Sequence, residues 1–402
     1  MVPQGSPPLS AGSQGDTATT GPETKEEKPP MPSSRPPYRV AIIGTGGIAH
    51  AHAEALGELS ERARLVAVAD LDPNRAAEFA DRFRVPQVFS DPTALLESGE
   101  PLDLVHICTP PRTHAPLAAQ VMRAGATALV EKPTALSLRE MDELAEVQEQ
   151  TGSRVLTVFQ HRYGATAVRL RRLVESGALG RPHVATCETL WYRPDEYFEV
   201  PWRGCWDAEG GGPTMGHGIH QFDLMVSVLG PWSVITALAD RRARPTDTED
   251  VSVAAVRFAD GALATVVNSL LSPRETSRLR FDFEHATVEL EHLYGYREEH
   301  WRFTPASGHE ELAALWNDGA GPDLISGHRL QIEAVFDAWE AGREPGVSLV
   351  DARRTLEFAA ATYASAFRGV PVTAGELAGD DPFTLSMDGG AVPWEPVKET
   401  LV

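Results

Sequence analysis

The chain has 402 residues, 36 basic and 57 acidic, for a formal net charge of −21. That length gives ample material for two domains, and 42% hydrophobic residues is ordinary for a globular chain. The acidity argues against a nucleic-acid or anionic-membrane partner, since both need clustered Lys and Arg.

Cys108, Cys187 and Cys205 form no C-x-x-C pair. Neither a disulfide framework nor a thiolate zinc site is expected, and a reducing cytoplasm fits. The opening MVPQGSPPLS lacks the basic start and apolar stretch of a secretory signal. No apolar run reaches the roughly 18 residues that a membrane helix needs.

Residues 1–37 hold nine Pro, nine Ser or Thr, four Gly and no aromatic residue. Such a segment cannot bury enough apolar surface to offset its ordering entropy, so it reads as a disordered tail. From Tyr38 the pattern is strand, turn, helix, repeated. Apolar runs at 38–43, 64–70, 103–108, 127–131 and 154–159 read as strands. Helices are expected near 49–59, 74–83, 113–124 and 137–151, the last opening on a Ser137-x-x-Glu140 capping box. Strands apolar on both faces and alternating with helices imply a doubly wound parallel sheet, a Rossmann-type α/β domain over 38–159.

After residue 160 the pattern changes. A helix over 165–177 precedes strands at 183–192, 232–240, 250–258, 261–271, 278–284 and 286–292. Hairpin connections fall at Phe258–Gly261 and Glu284–Ala286. Helices near 326–341 and from Ser348 to Gly369 close this region, the second stopped by Gly369 and Pro371. The expectation is a second α/β domain over 160–372 with an open, mainly antiparallel sheet, then an extension over 373–402 that wraps or frays.

Gly44-Thr45-Gly46-Gly47-Ile48-Ala49 follows the first strand and opens a helix. Gly44 permits the tight turn, Gly46 lets backbone approach a pyrophosphate, and Ala49 allows close helix–strand packing. Asp70 ends the second strand, 26 residues after Gly44, where a carboxylate can accept from a ribose 2′-hydroxyl. Together they indicate a bound dinucleotide. Asp70 would repel a 2′-phosphate, which favours NAD over NADP; Arg75 keeps NADP open. Glu131-Lys132-Pro133 sits at the C-terminal end of the fourth strand, the edge where ligands bind in such sheets. A lysine there can polarise a substrate oxygen or share a proton.

These residues carry a resemblance. The chain resembles the Gfo/Idh/MocA oxidoreductases, of the glucose–fructose oxidoreductase and inositol dehydrogenase type, over about 38–372. The likeness rests on Gly44–Ala49, Cys108-Thr-Pro-Pro-Arg-Thr-His114, Glu131-Lys132-Pro133, Gln160-His-Arg162-Tyr163 and Gly210–Asp223. It implies hydride transfer between a nicotinamide and a carbinol or carbonyl carbon. By this resemblance Lys132 and His220 are the catalytic pair, Glu131 and Pro133 accompany the lysine, and the Lys132–Pro133 bond is cis. Thr109 and Pro110 would line the nicotinamide side. The pattern often has Asp four residues before the histidine; here that place is Gly216. His220 is then the best base by intrinsic pKa, Lys132 stabilises the developing alkoxide, and His217 contacts substrate. His217, His220 and Asp223 also have the spacing of metal ligands on one helix face. The hydride reading explains the two histidines without a metal, and Asp223 then caps or pairs inside the fold.

Residues 191–206 hold three of the eight Trp and two of the seven Tyr. Flat aromatic faces suit the C–H faces of sugars and polyols, and Arg193 or Arg203 could take an anionic substituent. Trp206 and Arg162 are further substrate candidates; His50 and His52 read as structural or solvent-facing. The expected substrate is a small polyhydroxy compound. Two other readings stay open: a dinucleotide-binding sensor or repressor partner without turnover, and a dihydrodiol-type dehydrogenase. The flat face of the second sheet favours a homodimer or homotetramer, since it would otherwise be an exposed apolar patch.

Overall fold

A computed structural model describes residues 37–318 and 323–398. The expected tail lies, but for Pro37, outside the described residues. The first layer alternates strand and helix: β1 (Tyr38–Ile43), α1 (Gly47–Glu58), β2 (Ala63–Ala69), α2 (Pro73–Phe83), β3 (Gln87–Phe89) and α3 (Pro92–Glu97). It continues through β4 (Leu104–Ile107), α4 (His114–Arg123), β5 (Thr127–Val130), α5 (Leu138–Thr151) and β6 (Val155–Thr157). All pairings are parallel, in the order β3-β2-β1-β4-β5-β6. The order reverses between β1 and β4, which opens a crevice at their C-terminal ends. β3 and α3 escape a periodicity reading because three and six residues carry too little pattern. Asp91, whose side chain accepts from Ala94 N–H ahead of Pro92, is the local signal for α3. At α5, Ser137 caps Glu140 N–H as expected, but Glu140 reaches back to Leu136 N–H instead of that of Ser137.

The second layer begins with α6 (Ala165–Glu175), β7 (Pro182–Tyr192), α7 (Trp206–Glu209) and α8 (Ile219–Leu229). Strands β8 (Trp232–Asp240), β9 (Val251–Phe258), β10 (Leu263–Ser269), β11 (Leu271–Phe283), β12 (Ala286–His292) and β13 (Trp301–Pro305) follow. The chain then forms α9 (Leu312–Asn317), α10 (His328–Glu340), α11 (Leu349–Arg368), β14 (Val372–Thr373) and α12 (Pro382–Leu385). The sheet order is β13-β12-β11-β7-β10-β9-β8-β14. It is antiparallel except where β10 runs parallel to β7. β9 alternates buried and exposed residues along its length, the mark of a sheet covered on one face. Helices α8 and α11 cover that face, with Phe222 stacked on Phe358 at 4.9 Å between centroids. The periodicity does not announce α8: it is buried nearly all round, so it lacks the polar stripe that marks a surface helix.

Two placements differ from the linear division of the chain. α10 does not close the second layer. Its Ile332, Val335 and Phe336 pack with Val40, Ile42 and Leu56 of the first, and Tyr38 stacks on Phe336 at 4.6 Å. The C-terminal segment wraps: Trp394 Nε1 and Trp206 Nε1 both donate to the carbonyl of Asp247, and the N–H groups of Val397 and Lys398 donate to its carboxylate.

A buried ion pair fixes α8 against its neighbours. Arg162 donates through Nε and Nη2 to Asp223 at 2.7 and 2.6 Å, and Thr355 Oγ1 of α11 donates to the same carboxylate at 2.7 Å. The Asp223 side chain is 1% exposed. Breaking one side of such a pair leaves an uncompensated buried charge. Asp223→Ala is therefore expected to lower the unfolding free energy by about 3–5 kcal/mol, read from urea denaturation against the parent protein.

Candidate active site

The β1–α1 turn is built for close approach. Gly44 has φ +85°, and a Cβ there would lie 2.8 Å from Thr109 Cγ2 and 2.9 Å from the Cys108 backbone. Gly46 and Gly47 would place a Cβ where no atom lies within 4 Å. No side chain caps α1 at Gly46, which leaves the start of the helix to an outside acceptor. Ala49 is fully buried beneath the turn. Thr45 is turned inward: its N–H and hydroxyl both donate to Asp70, at 2.7 and 2.8 Å. Asp72 N–H donates to the same carboxylate, and Arg75 clamps it through two nitrogens at 3.0 and 2.6 Å. Burial would raise the Asp70 pKa, but the hydrogen bonds from Arg75, Asp72 and Thr45 hold it down at about 2.

At the end of β5, the Glu131 carboxylate accepts from His52 Nε2 on α1 and from His328 Nε2 on α10, each at 3.0 Å. His106 Nδ1 of β4 lies 2.9 Å from His52 Nδ1 and extends the network. Burial pushes the Glu131 carboxyl up; the hydrogen bonds from His328 and His52 outweigh this and hold it well below the usual carboxylate range. Among the described residues, His52, Glu131 and His328 are the one group whose ligand atoms are close enough for a metal ion. Their contacts are accounted for as N–H···O hydrogen bonds. The Lys132–Pro133 bond is cis. His114 bridges the carbonyls of Pro133 and Thr109 at 2.7 and 2.8 Å, tying this segment to the end of β4.

Lys132 Nζ donates to the Gly216 carbonyl at 2.7 Å, which joins the parallel-sheet edge to the segment before α8. Burial lowers the Lys132 pKa, and Glu131 and Glu209 oppose the shift. A cavity of about 460 Å³ opens here. Ile48, Thr109, Glu131, Lys132, Glu209, His217 and His220 line it. Trp191, Tyr197, Trp202 and Tyr294 supply aromatic walls. Trp191 meets His217 edge-on at 4.9 Å, and Tyr294 meets His220 at 5.7 Å. Arg203 lies over the rings of Tyr197 and Trp202. Burial and then the Lys132 charge hold both His217 and His220 well below the usual imidazole range, so both rings are neutral. Their buried Nδ1 atoms have no hydrogen-bond partner among the described residues.

Not every expected residue reaches this cavity. Arg162 is committed to Asp223 and faces a separate cleft with Arg171 and Asp351. Trp206 packs its ring on Tyr363 and Phe367 and donates to Asp247. Neither lines this cavity. Asp223 points to Arg162, away from the two histidines with which it shares a sequence spacing. Thr109 and Pro111 line the cavity, and Pro110 does not. Glu209, Tyr294 and the His52–His106–His328 network were missed. Glu209 immediately precedes Gly210–Gly212, a local signal, whereas Tyr294 follows β12 with none.

Residues 38–159 match the model of the oxidoreductase family with an NAD-binding Rossmann fold, and residues 167–289 match the GFO/IDH/MocA C-terminal domain. The chain belongs to the GFO/IDH/MocA oxidoreductase family. A myo-inositol 2-dehydrogenase of Thermotoga maritima is 28% identical over 58% of this chain and 68% of its own length. A D-glucoside 3-dehydrogenase of Escherichia coli is 33% identical over 48% of this chain, and the match spans about half of that protein, 54%. The WlbA dehydrogenase of Chromobacterium violaceum, solved with NADH and UDP-GlcNAcA, superposes with a TM-score of 0.75. It is 25% identical and covers 87% of this chain and 99% of its own.

The open space at Gly46 and Gly47 and the uncapped start of α1 fit the phosphates of NAD in this GFO/IDH/MocA oxidoreductase. Two outcomes follow from Asp70. Asp70→Asn is expected to lose a stabilisation that is complete above about pH 4 and disappears as the pH falls toward 2. Denaturation curves of parent and variant should therefore differ at pH 6 and converge at pH 2. Asp70→Ala should weaken NAD binding about tenfold, a charged hydrogen bond's worth, and narrow the gap to NADP, measured by quenching of protein fluorescence.

Proposed function

We propose that the protein transfers a hydride between NAD and a CH–OH carbon of a sugar, cyclitol or related hydroxy compound. One observation carries this: the NAD cradle edge, Lys132, His217 and His220 converge on a single aromatic-walled cavity. Bound NAD supplies the hydride acceptor. In oxidation, Lys132 holds the substrate oxygen and stabilises the alkoxide that develops as the proton leaves. His220 is neutral and takes that proton; its low basicity makes the reverse donation in reduction favourable. His217 orients the substrate from beneath Trp191. Aromatic faces take the apolar faces of the ring, and Arg203 favours a substrate carrying an acidic group. Asp70 favours NAD over NADP because its carboxylate stands where a 2′-phosphate would add a second negative charge.

A second copy of the chain is proposed on the uncovered face of the second sheet. Val184, Val253 and Leu263 are each nearly half exposed there, and Leu238 is 74% exposed. A homodimer or homotetramer would bury this patch.

The test is NADH formation with a panel of inositols, aldoses, glycosides and uronic acids, on protein whose NAD binding is first confirmed. Lys132→Ala and His220→Ala should each lower kcat by about 10²–10⁴-fold while NAD still binds. Tight NAD binding with no turnover on any panel member would instead support a sensor.

A further inference from the structure

A second cleft, of about 380 Å³, differs from the rest of the molecule in charge. The whole chain carries −21, yet three arginines and one carboxylate line this cleft among the described residues. Arg162 and Tyr163 precede α6, Arg171 lies on α6, and Asp351 and Arg354 lie in the first two turns of α11. No residue of this lining is shared with the cavity of Lys132 and His220. Its volume is in the range of small-molecule sites.

The arginine donors here are only partly used. Arg162 places Nε and Nη2 on Asp223. Its Nη1 stands 3.9 Å from Asp351 Oδ1, too far for a hydrogen bond. Arg354 Nη1 stands 3.8 Å from the same oxygen. The other oxygen of Asp351 accepts from the N–H and hydroxyl of Ser348, in the capping box of α11. Arg171 donates through Nη2 to the Arg162 carbonyl at 2.5 Å, which seats its guanidinium beside this group. Its Nη1 is buried and has no hydrogen-bond partner among the described residues. A buried donor without an acceptor is costly, and more so on a charged group. Burial and the Arg162 charge both work against the Arg171 guanidinium, and the charges of Asp223 and Glu175 offset them in part. Tyr163 is pushed up by burial, so it lines the cleft as a protonated phenol. Asp223 is matched by Arg162 and Asp351 faces Arg354, which leaves Arg171 short of an anion.

We propose that this cleft is a second ligand site, which takes the oxyanion group of a small molecule, a phosphate ester or a carboxylate. The anion accepts from Arg171 and from the spare nitrogen of Arg162, with Arg354 at the exposed mouth. Guanidinium donors suit both kinds of oxyanion. Asp351 is the one opposing charge in the lining. Through its bonds to Asp223, Arg162 ties the cleft to α8, the helix that carries His220.

The test is isothermal titration calorimetry of the full chain with inorganic phosphate, glycerol 3-phosphate and succinate. Saturating NAD is present throughout, so that the phosphate cradle at α1 is occupied. At least one probe should bind the parent protein, and the tighter of glycerol 3-phosphate and succinate tells a phosphate ester from a carboxylate. Arg171→Met should weaken that binding by about tenfold or more, the loss of charge-assisted hydrogen bonds. Arg354→Ala, at a side chain 61% exposed, should weaken it about threefold. Asp351→Asn keeps an acceptor for Ser348 and removes the opposing charge, so it should tighten binding. Should Arg171→Met not fold, the opposed shifts of Arg354→Ala and Asp351→Asn carry the test, because a damaged fold does not tighten binding. No binding of any probe to the parent protein would overturn the proposal. So would binding that Arg354→Ala and Asp351→Asn leave unchanged.

Discussion

One buried carboxylate organises the centre of this molecule. Glu131 sits at the end of β5 and draws a histidine from α1 and another from α10 onto a single oxygen. An ionised carboxylate out of water is costly unless hydrogen-bonded, and here both of its oxygens accept. The consequence reaches beyond the pair. The network fixes the residue before Lys132, and it holds α10, late in the chain, against the first layer. Lys132 can then reach the Gly216 carbonyl on the far side of the cavity.

Burial does much of the tuning around that network. It neutralises His217 and His220, which allows them to stand near Lys132 without repulsion. It also depresses the lysine, against the opposing charges of Glu131 and Glu209. At the other end of the crevice the opposite holds. Asp70 is held ionised by an Arg75 clamp and two backbone N–H groups, and it presents a formed acceptor site instead of a free carboxylate. The ion pair of Arg162 with Asp223 lies outside the lining of this cavity. It locks α8, and therefore the two histidines on and just before it, in register with α11.

Much of the fold was legible because it rests on short-range rules. Parallel strands buried on both faces leave continuous apolar runs, and Gly44 is demanded by a left-handed turn that a Cβ would block. Gly369, at φ +70°, ends α11 as a glycine in the C′ position should. Elements that fail these rules stayed hidden. α8 is buried nearly all round, and β3 with α3 is too short to show a period. The parallel pairing of β10 with β7 has no local signature, since pairing partners lie far apart in sequence.

Motif spacing and strand ends are local properties, so the dinucleotide-binding layer, the lysine at the end of β5 and the pair of histidines are legible in the residues alone. Which polar side chains meet is set by the packing. It sent Arg162 to Asp223 and Trp206 to Asp247, and it brought Glu209 from α7 and Tyr294 from beyond β12 to the cavity. It also gathered His52, His106 and His328 around Glu131 across 276 residues of chain, from 52 to 328. A charged or aromatic side chain in a sequence has many possible partners. Burial removes water as the alternative, and the packing then selects the partner.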